Sequence, residues 1–155
     1  MKTNQIIWAN SQTAFFLSNQ VASHHIFDFV IDEMKSAECM IISSFAITDH
    51  YVRRLIRNRG RISRITLFLD FTIASRNARV TQFAASNVAE LFLTNNHSKT
   101  IYAKNADTEM LAVMSNNATN NMRYESGILF RNHDLIPQFL RQYETMQADS
   151  VQWKS

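Results

Sequence analysis

NNHSKTIYAKNADTEMLAVMSNNATNNMRYESGILF, residues 95–130, is the stretch around which the chain is organised. His97 and Lys99 head a first apolar run, Thr100 to Ala103. Ser115 and Asn117 follow a second, Met110 to Met114, and Glu125 opens a third that reaches Phe130. The first two runs read as arms of a hairpin turning in KNADTE, and Tyr124 to Phe130 as a further strand. A histidine, a lysine, a hydroxyl, an amide and a carboxylate on neighbouring strand ends suit one phosphate. The imidazole can attack phosphorus or carry a proton, while the cation and neutral donors offset charge growing on the oxygens.

Working outward, residues 13–17 (TAFFL) read as a strand, and Ser23 as the N-cap of a helix to about Lys35. Ile26, Phe27, Val30, Ile31 and Met34 fall on one face of it. Cys39 to Phe45 suits a strand buried on both faces. Thr48 or Asp49 caps a second helix that Gly60 closes. Ile62 to Leu69 reads as the next strand, residues 77–86 as a third helix and Val88 to Leu93 as another strand. Asp134 caps a last helix with Pro137 in its first turn and Leu135, Ile136, Phe139, Leu140 and Tyr143 along its buried stripe. Strands alternating with helices and closed by a hairpin predict an α/β fold: a mixed, largely parallel β-sheet flanked by helices on both faces.

With 155 residues, 46% of them hydrophobic, the chain fits one domain over residues 1–155 with a core of its own. Two glycines and one proline leave little room for flexible linkers. The lone Cys39 excludes an intrachain disulfide and a thiolate cage, and fits a reducing compartment. No run approaches the ~20 apolar residues of a membrane span, and the amino terminus lacks a signal-peptide pattern. A cytoplasmic protein without a membrane partner is the expectation. Gly-rich phosphate loops, HExxH and Cys/His metal spacings are missing, so neither a metal nor another cofactor is expected.

Formal net charge is only +3, but eight of the sixteen Lys and Arg residues lie between positions 53 and 79. Arg53, Arg54 and Arg57 are expected on the outer face of the second helix, with Arg59 and Arg61 just beyond. Arginine matches phosphate geometry, and this run reads either as a nucleic-acid footprint or as a solvated helix face. No aromatic residue interleaves with the arginines from 53 to 64, so stacking on single-stranded bases is not expected.

H-S-K at 97–99, an apolar strand, a turn and M-S-N-N at 114–117 resemble the phospholipase D superfamily. Its signature is H-x-K, a strand ending in Asp, a turn and G-S-x-N. Lys104 stands where the signature has Asp, Met114 where it has Gly, and the hairpin is longer. The resemblance implies the same sandwich layout, a metal-independent phosphodiesterase and a phosphohistidine on His97. Lys99, Ser115 and Asn117 would hold the phosphoryl oxygens, and Glu125 would steady the histidine. Two HxK motifs make one site in that superfamily, so a single motif implies a homodimer. Three functions remain open: a DNA or RNA nuclease, a degenerate member that only binds nucleic acid or a protein, and a phospholipid-type phosphodiesterase.

Overall fold

Apolar runs bounded by turn residues form the strands, and one-faced apolar periodicity forms the helices. The computed structural model describes residues 2–119 and 123–154; positions 120–122, the last two of the polar SNNATNN run and the residue after it, lie outside the described residues. After a short 3-10 turn come β1 (Ile7–Trp8), β2 (Thr13–Ser18), α1 (Ser23–Met34), β3 (Cys39–Ser43), α2 (Asp49–Arg57) and β4 (Ile65–Asp70). Then follow α3 (Phe71–Arg76), α4 (Ala78–Ala85), β5 (Glu90–Thr94), β6 (Thr100–Lys104), β7 (Glu109–Met114), β8 (Glu125–Arg131), α5 (Leu135–Ala148) and β9 (Val151–Gln152).

The nine strands form one sheet in the order β1-β2-β8-β7-β6-β3-β4-β5-β9. Only the β3–β4 and β4–β5 ladders are parallel; the other six are antiparallel. The sheet is mixed as expected, but not largely parallel. A short connection is the reason. Residues 95–99 must carry the chain from β5 past β4 and β3 to β6, about 14 Å at the usual strand spacing. That is within reach of six extended residue steps, roughly 20 Å, but a parallel return needs a crossover of a dozen residues or more. The segment therefore crosses the strand ends and β6 runs back antiparallel to β3, with Ser43 facing Thr100.

Strand alternation divides the core. Met40, Ile42, Leu67 and Leu69 face the helices α1 to α4, packing with Ile26, Val30, Val52, Leu55, Ile73 and Ala84. Phe68, Phe92, Tyr102 and Leu111 face α5 through Ile136 and Tyr143. Each large apolar side chain so buried contributes about 1.5–3 kcal/mol of transfer free energy.

Several local readings shift. Ala22, not Ser23, is the N-cap of α1, and Ser23 Oγ donates to Tyr51 Oη at 3.4 Å. Thr48 does cap α2, accepting from the Tyr51 N–H at 3.3 Å. Asn58 ends that helix rather than Gly60, which has no positive φ. The helix read at residues 77–86 is α4, capped by Asn77, and a further short helix that was not expected, α3, precedes it with Asp70 as its cap. Asp134 makes no side-chain cap; His133 Nδ1 accepts the Leu135 N–H at 3.0 Å instead. The edge strands β1 and β9 gave no periodic signal at two residues each.

Gly127 sits in β8 between β2 and β7, where a Cβ would come 2.6 Å from the Phe16 ring and 2.9 Å from the Val113 carbonyl oxygen. Phe16 is buried and the carbonyl belongs to a paired strand, so neither can yield cheaply. Gly127→Ala should cost about 2–3 kcal/mol, lowering the melting temperature by roughly 5–10 °C in thermal denaturation. A melt within a degree of the parent would show that β8 can shift.

Candidate active site

The segment that crosses the strand ends is held by one buried amide. Asn96 Nδ2 donates to Ser43 Oγ at 3.0 Å and to the Ser44 and Phe68 carbonyls at 3.3 Å. Its Oδ1 accepts from Ser98 N at 2.9 Å and Ser98 Oγ at 2.6 Å. Its backbone N–H donates to Asp70 Oδ2 at 2.9 Å. Burial works against the Asp70 carboxylate, but the bonds from Thr72 and Asn96, with the Arg76 charge, outweigh it and hold its pKa below the ordinary 3.8. A depressed carboxylate contributes stability that is complete above its unfolded value and is lost as pH falls through the folded one. Acid therefore loosens this anchor only below the ordinary Asp value.

So fixed, the segment presents His97 exposed and Lys99 half-buried at the rim. Lys99 Nζ lies 2.9 Å from His97 Nδ1 and 2.8 Å from the His97 carbonyl oxygen. An ammonium can only donate, so Nδ1 accepts and Nε2 carries the ring proton. Desolvation lowers the Lys99 pKa, partly offset by the charge of Glu125. Phe45, after β3, packs its ring 5.3 Å from the His97 ring. The Met114 N–H donates to the Lys99 carbonyl at 3.1 Å, which brings the end of β7 beside Lys99.

Ser115 and Glu125 meet directly: Ser115 Oγ donates to Glu125 Oε2 and accepts from Ser126 N at 3.0 Å. Glu125 thus bonds Ser115, while the Nδ1 partner of His97 is Lys99. Asn117 sits one loop residue on, its Oδ1 3.5 Å from Ser44 Oγ at the end of β3. All five expected residues lie at the same end of the sheet. Lys104 does not. It ends β6, about 16 Å from Lys99 along the strand, and Asn105 holds the hairpin turn by accepting the Asp107 and Thr108 N–H groups at 3.0 and 2.8 Å.

The sequence reading missed Asn96, Ser43, Ser44, Asp70 and Phe45. A signal existed: two apolar strands end in Ser-Ser and in Asp, and polar residues closing buried strands need partners.

The arginines do not form one patch. Arg53 and Arg57 are exposed on α2 as expected. Arg54 is instead turned in, paired with Asp28 at 3.4 Å, whose carboxyl burial pushes up and Arg54 pulls down. Arg61 closes α1 through the Ile31 and Lys35 carbonyls at 2.7 and 3.1 Å and pairs with Asp32 at 3.0 Å. Arg59 donates to Asn87 Oδ1 at 2.7 Å. Arg59 and Arg61 lie where β4 begins, at the opposite end of the sheet from His97. Among the described residues, no three His, Cys, Asp or Glu side chains stand together to hold a metal ion, and no helix is long and apolar enough to cross a membrane.

No protein-family model matches the sequence, and no curated protein does. Solved structures do match. NucT from Helicobacter pylori superposes with a TM-score of 0.66 at 13% identity, covering 91% of this chain and 98% of that one. Phosphatidylserine synthase of Haemophilus influenzae gives 0.63 at 14%, covering 96% of this chain and 42% of the other. TrmBL2, an archaeal chromatin protein described as showing a novel mode of DNA binding, gives 0.62 at 8%, with 93% and 55% covered. The chain spans about half the length of the latter two and nearly all of NucT. Identities this low speak for architecture, and the architecture is the phospholipase D fold.

Proposed function

We propose that the protein is a metal-independent phosphodiesterase acting on nucleic acid, with an active site completed by a second copy. The observation that carries this is the His97–Lys99 pair, 2.9 Å apart, held over the strand ends beside Ser115 and Glu125 on a fold shared with NucT. His97 is exposed, and with Nδ1 beside Lys99 its Nε2 is the nitrogen left for a phosphate: bearing the proton it donates, and to attack it must pass that proton to Nδ1, which Lys99 then releases. Attack on phosphorus needs an unprotonated imidazole, so two histidines in opposite states divide the work. Lys99, Ser115 and Asn117 supply charge and hydrogen bonds for the phosphoryl oxygens.

A surface for the second copy adjoins the site. α5 covers only part of its face of the sheet. Beyond it the cross-strand row Ile7, Phe15, Ile128 and Val113 is exposed by 54, 45, 46 and 39%. Phe15, Ile128 and Val113 of this row, with Leu135 and Phe139 of α5, wall a groove of about 680 Å³ that reaches Ser115 and Ser126. A bare apolar row of this kind is characteristic of an interface, and under two-fold symmetry each copy's α5 would cover the other's bare half. Sedimentation equilibrium should give a dimer at micromolar concentration and a monomer with little cleavage for Ile128→Asp. A parent protein that cleaves as a monomer would sink the shared site.

A catalytically silent nucleic-acid binder is the second reading, favoured by Glu125 being engaged with Ser115 rather than His97. Cleavage of a single- or double-stranded substrate by the purified parent, lost in His97→Asn, decides between them.

A further inference from the structure

Between α2 and α4 lies a separate cleft of about 560 Å³, lined by Asp49, Arg53, Asn77, Arg79, Val80 and Phe83. Phe83 and Val80 give it a half-buried apolar floor, and Arg53 and Arg79 are exposed cations on its walls. The Arg53 guanidinium lies over the Phe83 ring, 5.4 Å from its centroid, and its Nε is steadied by Asp49 at 2.6 Å. A ring faced by a planar cation, with a second arginine alongside, suits a flat π-system joined to an anion.

The helices that lead into the cleft start from the rim that carries His97. α2 leaves that rim at Thr48, whose N–H donates to the Ala118 carbonyl at 3.1 Å, beside Asn117. α3 leaves it at Asp70, which holds Asn96 beside His97. Arg53 is about one helical turn, 5.4 Å, beyond Asp49. More aromatic surface lies along the same rim, in Phe45 against His97 and in Phe71, 47% exposed at the start of α3.

We propose that this cleft takes one nucleotide of a single-stranded nucleic acid, its base against Phe83 and its phosphate on Arg53 and Arg79, on the strand's way to His97. The inference rests on the nucleic-acid reading above and adds strandedness and a path. A duplex keeps its base faces stacked inside the helix. It can lend phosphates to the arginines but no base to Phe83, so the aromatic floor selects a single strand.

The test is fluorescence anisotropy with a labelled oligothymidylate and a duplex of equal length, in a His97→Asn background so that cleavage does not enter. Phe83→Leu keeps an apolar side chain at a half-buried position and removes only the ring. It should weaken single-strand binding about fivefold or more and leave duplex binding within about twofold. Arg79→Gln, a surface change, should weaken binding to both and lower the log–log salt slope for the single strand by about 0.7. Single-strand affinity unchanged in Phe83→Leu, or equal loss on strand and duplex, overturns the proposal, as does an unchanged salt slope in Arg79→Gln. The readout is binding, so a parent protein that binds in this way but never cleaves refutes the phosphodiesterase and leaves the cleft. Cleavage with binding indifferent to Phe83 does the reverse.

Discussion

Replacing His97 by Asn is expected to lower phosphodiester cleavage by more than roughly 10⁴-fold, beyond the usual range of acid–base help alone, because it removes the proposed nucleophile itself. The side chain is exposed and its visible partners are Lys99 and the Phe45 ring, so the fold should be untouched and the melting temperature should stay within a degree or two. Parent activity should persist in excess chelator. Its pH profile should be bell-shaped, since one imidazole must be free while another is protonated. A gel assay on purified parent and variant, with a denaturing quench at alkaline pH, where the P–N bond of a phosphohistidine survives, to trap it as a labelled protein band, checks all of this. Cleavage surviving in His97→Asn, or abolished by chelator in the parent, would remove the mechanism.

Asn96→Ala should produce the largest loss of stability among the residues around the site. Asn96 is only 4% exposed, and its side chain joins Ser43, Ser44, Phe68 and Ser98. Truncation takes a donor from the buried Ser44 carbonyl and from Ser43 Oγ, one of two donors from the Phe68 carbonyl, which keeps the Ser44 N–H at 3.0 Å, and the acceptor that fixes Ser98. A buried group left unmade costs about 1–3 kcal/mol. A total near 3–5 kcal/mol follows, which shifts the melting temperature of a domain this size by roughly 10 °C. Asn96→Asp should be no better despite its matching shape, because it turns an acceptor toward carbonyl oxygens. Cleavage should fall about 100-fold even where the variant is folded, since His97 is the next residue and small displacements at a reacting group cost that much. Urea denaturation gives the first number and turnover well below the melting range the second. An alanine variant melting within two degrees of the parent would strip Asn96 of its organising role.

Much of the architecture was legible along the chain. The stripe Ile26, Phe27, Val30, Ile31 and Met34 does make the buried face of α1, and the hairpin of residues 100–114 pairs as read, with Thr100 facing Val113. The order His97, Lys99, Ser115, Asn117, Glu125 placed these residues on neighbouring strand ends, and the ladders bring those ends together. Lys104 ends β6 a strand length from Lys99, with Asn105 holding the turn beyond it.

Sequence alone determined what depends on neighbours a few residues apart: most of the helices and strands, and which face of each is apolar. Periodicity and capping are local, and they are written locally. Only the tertiary structure decided the direction of β6, the burial of Asn96 beneath the His97 segment, the turning of Arg54 toward Asp28 and the meeting of Arg53 with Phe83. Each of these joins residues that are distant in the chain. Their outcome is set by how far five linking residues can reach across strand ends, and by which helices then come to lie side by side.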